Sequence, residues 1–210
     1  MEKTLKKWIE LVDKEQSFDP DLHLTLLKYG SKCEHITEFG VRWVESTFSF
    51  ILSKPKTLIS MDLDHPALHH EFNGGKNLLE AFECAKECDV DFTFKIANSL
   101  EVEIEPTDLL FIDTQHSYLH LKYELHLHHN KVNKYIIIHD TVAHKYTDQD
   151  AGVSSFSYEK DYRPIELDQD DYEKEGLGLA IEEFLQKHNN WVLEREIITG
   201  QGITVLKRIN

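Results

Sequence analysis

Ile36-Thr37-Glu38-Phe39-Gly40-Val41-Arg42 is the stretch on which the fold turns. It reads as a short strand ending on an acidic residue and a glycine. About twenty residues later, Thr57-Leu58-Ile59-Ser60-Met61 reads as a second strand ending on Asp62, with a helix over 43–53 between the two. A strand, a glycine turn, a helix and a second strand tipped by a carboxylate make a βαβ nucleotide-binding unit. Gly40 lets the backbone approach a ligand closely, and Asp62 stands where it can accept hydrogen bonds from ribose hydroxyls.

Before this unit, Leu5, Trp8, Ile9 and Val12 share one helical face, predicted to pack on the domain edge or on a partner. Asp19-Pro20-Asp21 then opens a second helix, with Leu22, Leu24, Leu26 and Leu27 as its apolar supply. After the unit, Gly74-Gly75 precedes a helix carrying Leu78, Leu79, Ala81, Phe82 and Ala85, and a third strand covers 91–96. Leu109-Leu110-Phe111-Ile112 is a fourth strand ending on Asp113. A His-rich helix over 118–129 follows, and Tyr135-Ile136-Ile137-Ile138 is a fifth strand ending on His139-Asp140. Short continuous apolar runs of this kind suit parallel strands covered on both faces. The polar stretch 142–175 is a candidate lid or substrate loop, where Tyr146, Phe156, Tyr158 and Tyr162 could stack on a ring. A helix over 177–188 and two strands over 191–198 and 202–208 close the chain, with Gly200-Gln201-Gly202 as a hairpin turn. The expectation is an α/β fold: a Rossmann-like, doubly wound, mostly parallel seven-stranded sheet with a C-terminal antiparallel hairpin and helices on both faces. Helices within 1–30 would pack on a single domain over 31–210.

A chain of 210 residues has room for one domain with a real core. Its 38 acidic and 23 basic residues give a net charge of −15, which argues against broad nucleic-acid binding, since that affinity comes from Lys and Arg neutralising phosphates. No apolar run approaches membrane-spanning length, so no membrane partner is expected. Residues 1–15 lack the apolar stretch of a signal peptide. Cys33, Cys84 and Cys88 are too few, and odd in number, for a disulfide framework. Reduced thiols and a cytoplasmic location are expected.

Four motifs resemble the class I S-adenosylmethionine-dependent methyltransferases, and within them the sugar O-methyltransferase and cephalosporin-hydroxylase-like branch. They are Glu38-Phe39-Gly40-Val41-Arg42 with Ser46-Thr47, then Met61-Asp62-Leu63-Asp64, then Leu110-Phe111-Ile112-Asp113-Thr114-Gln115-His116-Ser117-Tyr118, and last Ile137-Ile138-His139-Asp140-Thr141. With the closing helix and hairpin, the resemblance covers nearly all of 36–208. It implies an enzyme that transfers a methyl group from S-adenosylmethionine to a hydroxyl of a small molecule, a sugar or glycan-type acceptor. In that family Glu38 and Gly40, with Arg42 and Ser46 of the same motif, would serve the amino-acid part of the cofactor. Asp62 would hold the ribose, Asn98 and Ser99 would lie at the adenine edge, and Asp113 would face the sulfonium and the acceptor. The chain departs from the family at Val44, where a second glycine is usual, at Thr114, where a glycine is usual, and at Gln115, where some sugar methyltransferases place an acidic base.

The resemblance also implies a metal. Several relatives hold Mg²⁺ with a carboxylate after strand four and a pair after strand five, which here are Asp113, His139 and Asp140. His139 is a poor ligand for Mg²⁺, and Mn²⁺, Fe²⁺ or Zn²⁺ suits such a set better. Without a metal, His116, His139 or His144 is the candidate base, since an unperturbed imidazole titrates near neutral pH. His116 can equally be read as a cap of the following helix. The candidate catalytic residues are thus Asp113, His116, His139 and Asp140. His120, Glu124 and His128 recur every four residues and are predicted to form a solvated face, because Leu121 and Leu125 supply the core. Two alternatives stand beside the methyltransferase. A non-catalytic binding protein would keep the fold and lose the chemistry. An NAD-dependent oxidoreductase would need G-x-G-x-x-G, of which only Gly40 is present. The N-terminal amphipathic helix could also pair with a copy of itself as a homo-oligomer.

Overall fold

A computed structural model describes residues 2–13, 19–70, 73–149 and 169–209. Among them, seven strands form one sheet: β1 (His35–Phe39), β2 (Thr57–Asp62), β3 (Asp91–Ile96), β4 (Thr107–Ile112), β5 (Val132–His139), β6 (Trp191–Ile197) and β7 (Ile203–Arg208). Their order is β3-β2-β1-β4-β5-β7-β6. The first five run parallel, while β7 is antiparallel to both β5 and β6. The helices are α1 (Glu2–Val12), α2 (Pro20–Gly30), α3 (Glu45–Ser53), α4 (Gly74–Cys88), α5 (Tyr118–His128) and α6 (Leu177–Lys187). This is the predicted doubly wound plan.

The period-two geometry of a strand divides the core into two layers. Leu109 and Phe111 of β4 join Leu26, Phe48, Ile51 and Leu78 of α2, α3 and α4 on one face. Leu110 and Ile112 join Tyr118, Leu121, Ile181 and Phe184 of α5 and α6 on the other. Every residue of β4 is buried, as a central strand covered on both sides requires. A buried side chain such as Phe111 or Ile137 contributes about 1.5–3 kcal/mol. The reversal of strand order between β1 and β4 is the topological switch point, where the two halves of the sheet diverge and open a crevice at the strand C-termini.

Helix α1 leaves Leu5 and Ile9 exposed and approaches α4 through the buried Thr4, whose Oγ1 lies 3.6 Å from Cys88 Sγ. A small residue permits that closeness where a leucine would not. In α5, His120, Glu124 and His128 are buried rather than solvated. Thr114 Oγ1 donates to Glu124, His120 Nε2 lies 3.2 Å from Glu124 Oε1, and His128 Nε2 donates to the Ser99 carbonyl at 2.7 Å. Helix α5 packs on the sheet beside α6, and its polar residues meet Ser99 and Thr114 on the loops after β3 and β4 rather than water. All three cysteines are buried and free, and no helix among the described residues is long and apolar enough to cross a membrane.

Candidate active site

The C-terminal ends of β1, β2, β4 and β5 open into a cleft of about 850 Å³, within the size range of small-molecule sites. Gly40 stands at its centre with φ +84°. A Cβ there would lie 1.9 Å from the Asp113 carbonyl oxygen, so only glycine lets the tips of β1 and β4 come together.

Glu38 lies beneath this turn. It is completely buried and accepts hydrogen bonds from Ser46 Oγ, Thr47 Oγ1 and Ser60 Oγ at 2.5, 2.8 and 2.5 Å. Burial pushes its carboxyl up to about 7, even though three hydroxyls favour the charged form. Ser46 and Thr47 belong to the first turn of α3, so their hydroxyls tie the start of that helix to the Glu38 carboxyl. The side chain of Glu38 thus secures the loop from below and is not part of the cleft lining, whereas Gly40, Arg42 and Ser46 are. Val44, at the position of the missing glycine, adopts φ +73° and is buried. A β-branched residue is strained there, and its packing holds it in place.

Asp62, at the tip of β2, points back toward β1. Its Oδ2 accepts from the amides of Val41 and Arg42 at 2.7 and 2.8 Å, and its Oδ1 accepts from Asp64 N at 3.3 Å. The carboxylate therefore fixes the glycine loop while still lining the cleft, along with Leu63, His69, Ala97 and Ser99. Asn98 is not part of the cleft lining, and its Oδ1 accepts from Leu100 N at 3.0 Å.

At the other end, the tips of β4 and β5 gather Asp113, His116, His139 and Asp140. His116 Nε2 lies 3.2 Å from Asp113 Oδ1 and 3.1 Å from Asp140 Oδ2. His139 Nδ1 lies 3.3 Å from Asp113 Oδ1 and 3.5 Å from Asp140 Oδ1. Burial works to lower the His139 pKa, but the carboxylates of Asp113, Asp19 and Asp140 lift it to about 10. Burial would raise Asp113, yet His139 and His116 hold it well below the usual carboxylate range. Burial raises Asp140, and His116 is also raised, against its own burial, by Asp113 and Asp140. His144 stacks on the His116 ring at 5.2 Å, and Gln149 Oε1 lies 3.1 Å from His116 Nδ1.

Asp113, His139 and Asp140 offer one atom each within 4.8 Å of one another. Two of the buried donor atoms, His139 Nδ1 and Asp140 Oδ1, make no hydrogen bond. Buried polar atoms left in that state are costly, and a cation between them would satisfy both. The residues present therefore fit a divalent ion, and the nitrogen donor favours a first-row transition ion over Mg²⁺.

The site also includes residues that sequence reasoning did not place. Asp19, Gln149 and Gln201 all line the cleft. Asp19 was legible only as the cap of α2, which it is: Leu22 N donates to its Oδ1 at 3.2 Å. Gln149 and Gln201 carry no local signal. Of the aromatic candidates in 142–175, Tyr146 is exposed, and Phe156, Tyr158 and Tyr162 lie outside the described residues. At the base of that segment Asp148 Oδ1 accepts from both Tyr118 N and Gly176 N, which ties its two ends together.

The strand order, the crevice at the switch point and the closing antiparallel hairpin make a Rossmann-like fold of the kind seen in solved methyltransferases. No family model matches the chain, and no curated protein matches it. Solved structures do. An O-methyltransferase from Streptomyces achromogenes involved in tomaymycin synthesis, crystallised with S-adenosylmethionine, is 15% identical with a TM-score of 0.54, the match covering 100% of this chain and 91% of that one. A Podospora anserina methyltransferase bound to S-adenosylhomocysteine is 14% identical at a TM-score of 0.52, over 100% and 89% of the two chains. A protein from Corynebacterium glutamicum is 11% identical at 0.60, over 100% and 91%.

Proposed function

We propose that this protein is an S-adenosylmethionine-dependent O-methyltransferase acting on a hydroxyl of a small molecule, with a sugar or related polyol as the acceptor class. The observation that carries this reading is the two-ended cleft. One end has a glycine turn and a ribose-type carboxylate, and the other has a cluster of Asp and His suited to handling a hydroxyl proton.

The cofactor, when bound, supplies an activated methyl on a sulfonium. Gly40 and Arg42 would border its amino-acid end, Asp62 would offer a lone pair to the ribose hydroxyls, and Leu63, Ala97 and Ser99, which line the cleft beyond, would flank the base. Asp113, His139 and Asp140 would hold a divalent ion, which supplies Lewis acidity that lowers the pKa of an acceptor hydroxyl. His116 would take that proton, and Asp113 and Asp140, whose carboxylates face its Nε2 at 3.2 and 3.1 Å, would stabilise the imidazolium that results. With an activated donor, alignment and removal of one proton are the main demands on the protein.

A dinucleotide reading is disfavoured at the glycine loop as well. The amides of Val41 and Arg42 are taken up by Asp62 and are not open to a pyrophosphate.

The first test is calorimetric titration of the chelator-treated chain with S-adenosylhomocysteine. Micromolar binding is the expected result, followed by transfer of labelled methyl from S-adenosylmethionine to members of a sugar and polyol panel. Absence of S-adenosylhomocysteine binding would overturn the methyltransferase reading. Binding with transfer confined to nitrogen or sulfur acceptors would overturn the hydroxyl assignment.

A further inference from the structure

The N-terminal segment reaches into the cation end of the cleft through one side chain. Asp19 is buried at the start of α2, and its Oδ2 lies 3.2 Å from His139 Nε2, across 120 residues of sequence. The carboxylate is held from three sides. Leu22 N donates to Oδ1 and Gln201 N to Oδ2, at 3.2 and 3.4 Å. Gly200 stands so close that a Cβ on it would lie 2.7 Å from Oδ2. A helix cap, a hairpin turn and a glycine thus fix this carboxylate against the imidazole.

The consequence for His139 is a matter of tautomers. With Nε2–H directed at Asp19, the neutral ring has its lone pair on Nδ1. That atom is buried without a hydrogen bond and faces Asp113 Oδ1 and Asp140 Oδ1 at 3.3 and 3.5 Å. A lone pair directed at two carboxylate oxygens is repelled by both unless a cation stands between them; that cation is either the ring's own second proton, which the three surrounding carboxylates favour, or a metal ion that displaces it. Carboxylate, imidazole and cation in a row form an arrangement in which the outer carboxylate orients the ring and raises its basicity as a ligand.

We propose that Asp19 is a positioning residue that makes His139 a nitrogen ligand, and that it thereby gives the site its preference for a first-row transition ion over Mg²⁺. This inference rests on the metal reading of Asp113, His139 and Asp140. The N-terminal segment is then part of the active site's chemistry as well as a packing element.

The experiment is a set of calorimetric titrations of the full chain, stripped by chelator, with Mn²⁺, Zn²⁺ and Mg²⁺. Wild type, Asp19→Asn, His139→Asn and the double variant are compared. Asparagine keeps the helix cap, so the fold is retained, and S-adenosylhomocysteine affinity and thermal unfolding serve as controls. We expect Zn²⁺ and Mn²⁺ to bind wild type at least 10-fold more tightly than Mg²⁺. Asp19→Asn should weaken the transition ions about 10–100-fold with little change for Mg²⁺. In the His139→Asn background the same change should cost less than about 2-fold, because the coupling runs through the imidazole.

If wild type binds no divalent ion, the metal reading falls and this inference falls with it. If wild type binds metal but Asp19→Asn is neutral, or costs as much without His139 as with it, the metal reading stands and the role of Asp19 is overturned. S-adenosylhomocysteine binding reports on the methyltransferase reading independently of either result.

Discussion

The two ends of the cleft are built on opposite principles. At the tips of β1 and β2 every carboxylate is satisfied from within. Glu38 accepts three hydroxyls, and Asp62 accepts three backbone amides. At the tips of β4 and β5, imidazole nitrogens face carboxylates, and two buried donor atoms make no hydrogen bond. The first end is preorganised by its own contacts. The second holds unspent electrostatic capacity, which a proton or a metal ion would satisfy. A cleft that must hold one cofactor in a fixed pose and also move a proton needs both kinds of construction.

The comparison can be broken most severely at the hinge between its two ends. Gly40→Ala would drive a methyl into the Asp113 carbonyl at positive φ, and we expect a loss of about 4 kcal/mol in urea unfolding together with loss of S-adenosylhomocysteine binding. A smaller effect comes from the buried carboxyl of the first end. Folded, Glu38 keeps its proton to about pH 7, while its ordinary value is 4.5. Between those values the unfolded chain binds fewer protons than the folded one, so stability falls as pH rises, by about 3 kcal/mol over the window. Glu38→Gln should flatten that slope in melts taken from pH 4.5 to pH 8. An unchanged slope would mean that the hydroxyl cage keeps Glu38 ionised.

For the second end, a saturating transition ion should raise stability by about 2.7 kcal/mol at 100 times its Kd, and Asp140→Asn should remove most of that gain. Asp62→Ala should weaken S-adenosylhomocysteine binding about 10-fold or more, the equivalent of one charged hydrogen bond, while leaving metal affinity within about 3-fold. The smallest expected effect is at Val44. Glycine there relieves the strain at φ +73° but loses a buried side chain, and the two should offset to within about 1 kcal/mol.

At the first end the sequence located the residues but not what their carboxylates hold, since Glu38 is enclosed beneath the loop and Asp62 accepts the loop amides. Glu38, Gly40 and Asp62 announced themselves through a strand, a glycine and a strand, and the partners of Glu38 lie within 22 residues of it. The second end was legible in its candidate residues but not in their surroundings. Asp113, His139 and Asp140 could be read at strand tips because parallel strands converge at one edge. Which ring nitrogen faces which carboxylate could not. The burial of His120, Glu124 and His128 was misread for a related reason: a helical period of four identifies a face, but whether that face meets water depends on what packs over it.

By itself the sequence determined the order of strands and helices, the doubly wound plan and the glycine turn with its carboxylates. These follow from backbone geometry and from apolar periodicity over a few residues. Only the tertiary structure decided that Asp19 meets His139 across 120 residues and that Gly200 makes room for it. Those contacts are set by how helices and loops close over a finished sheet, and no local signal encodes a partner that distant.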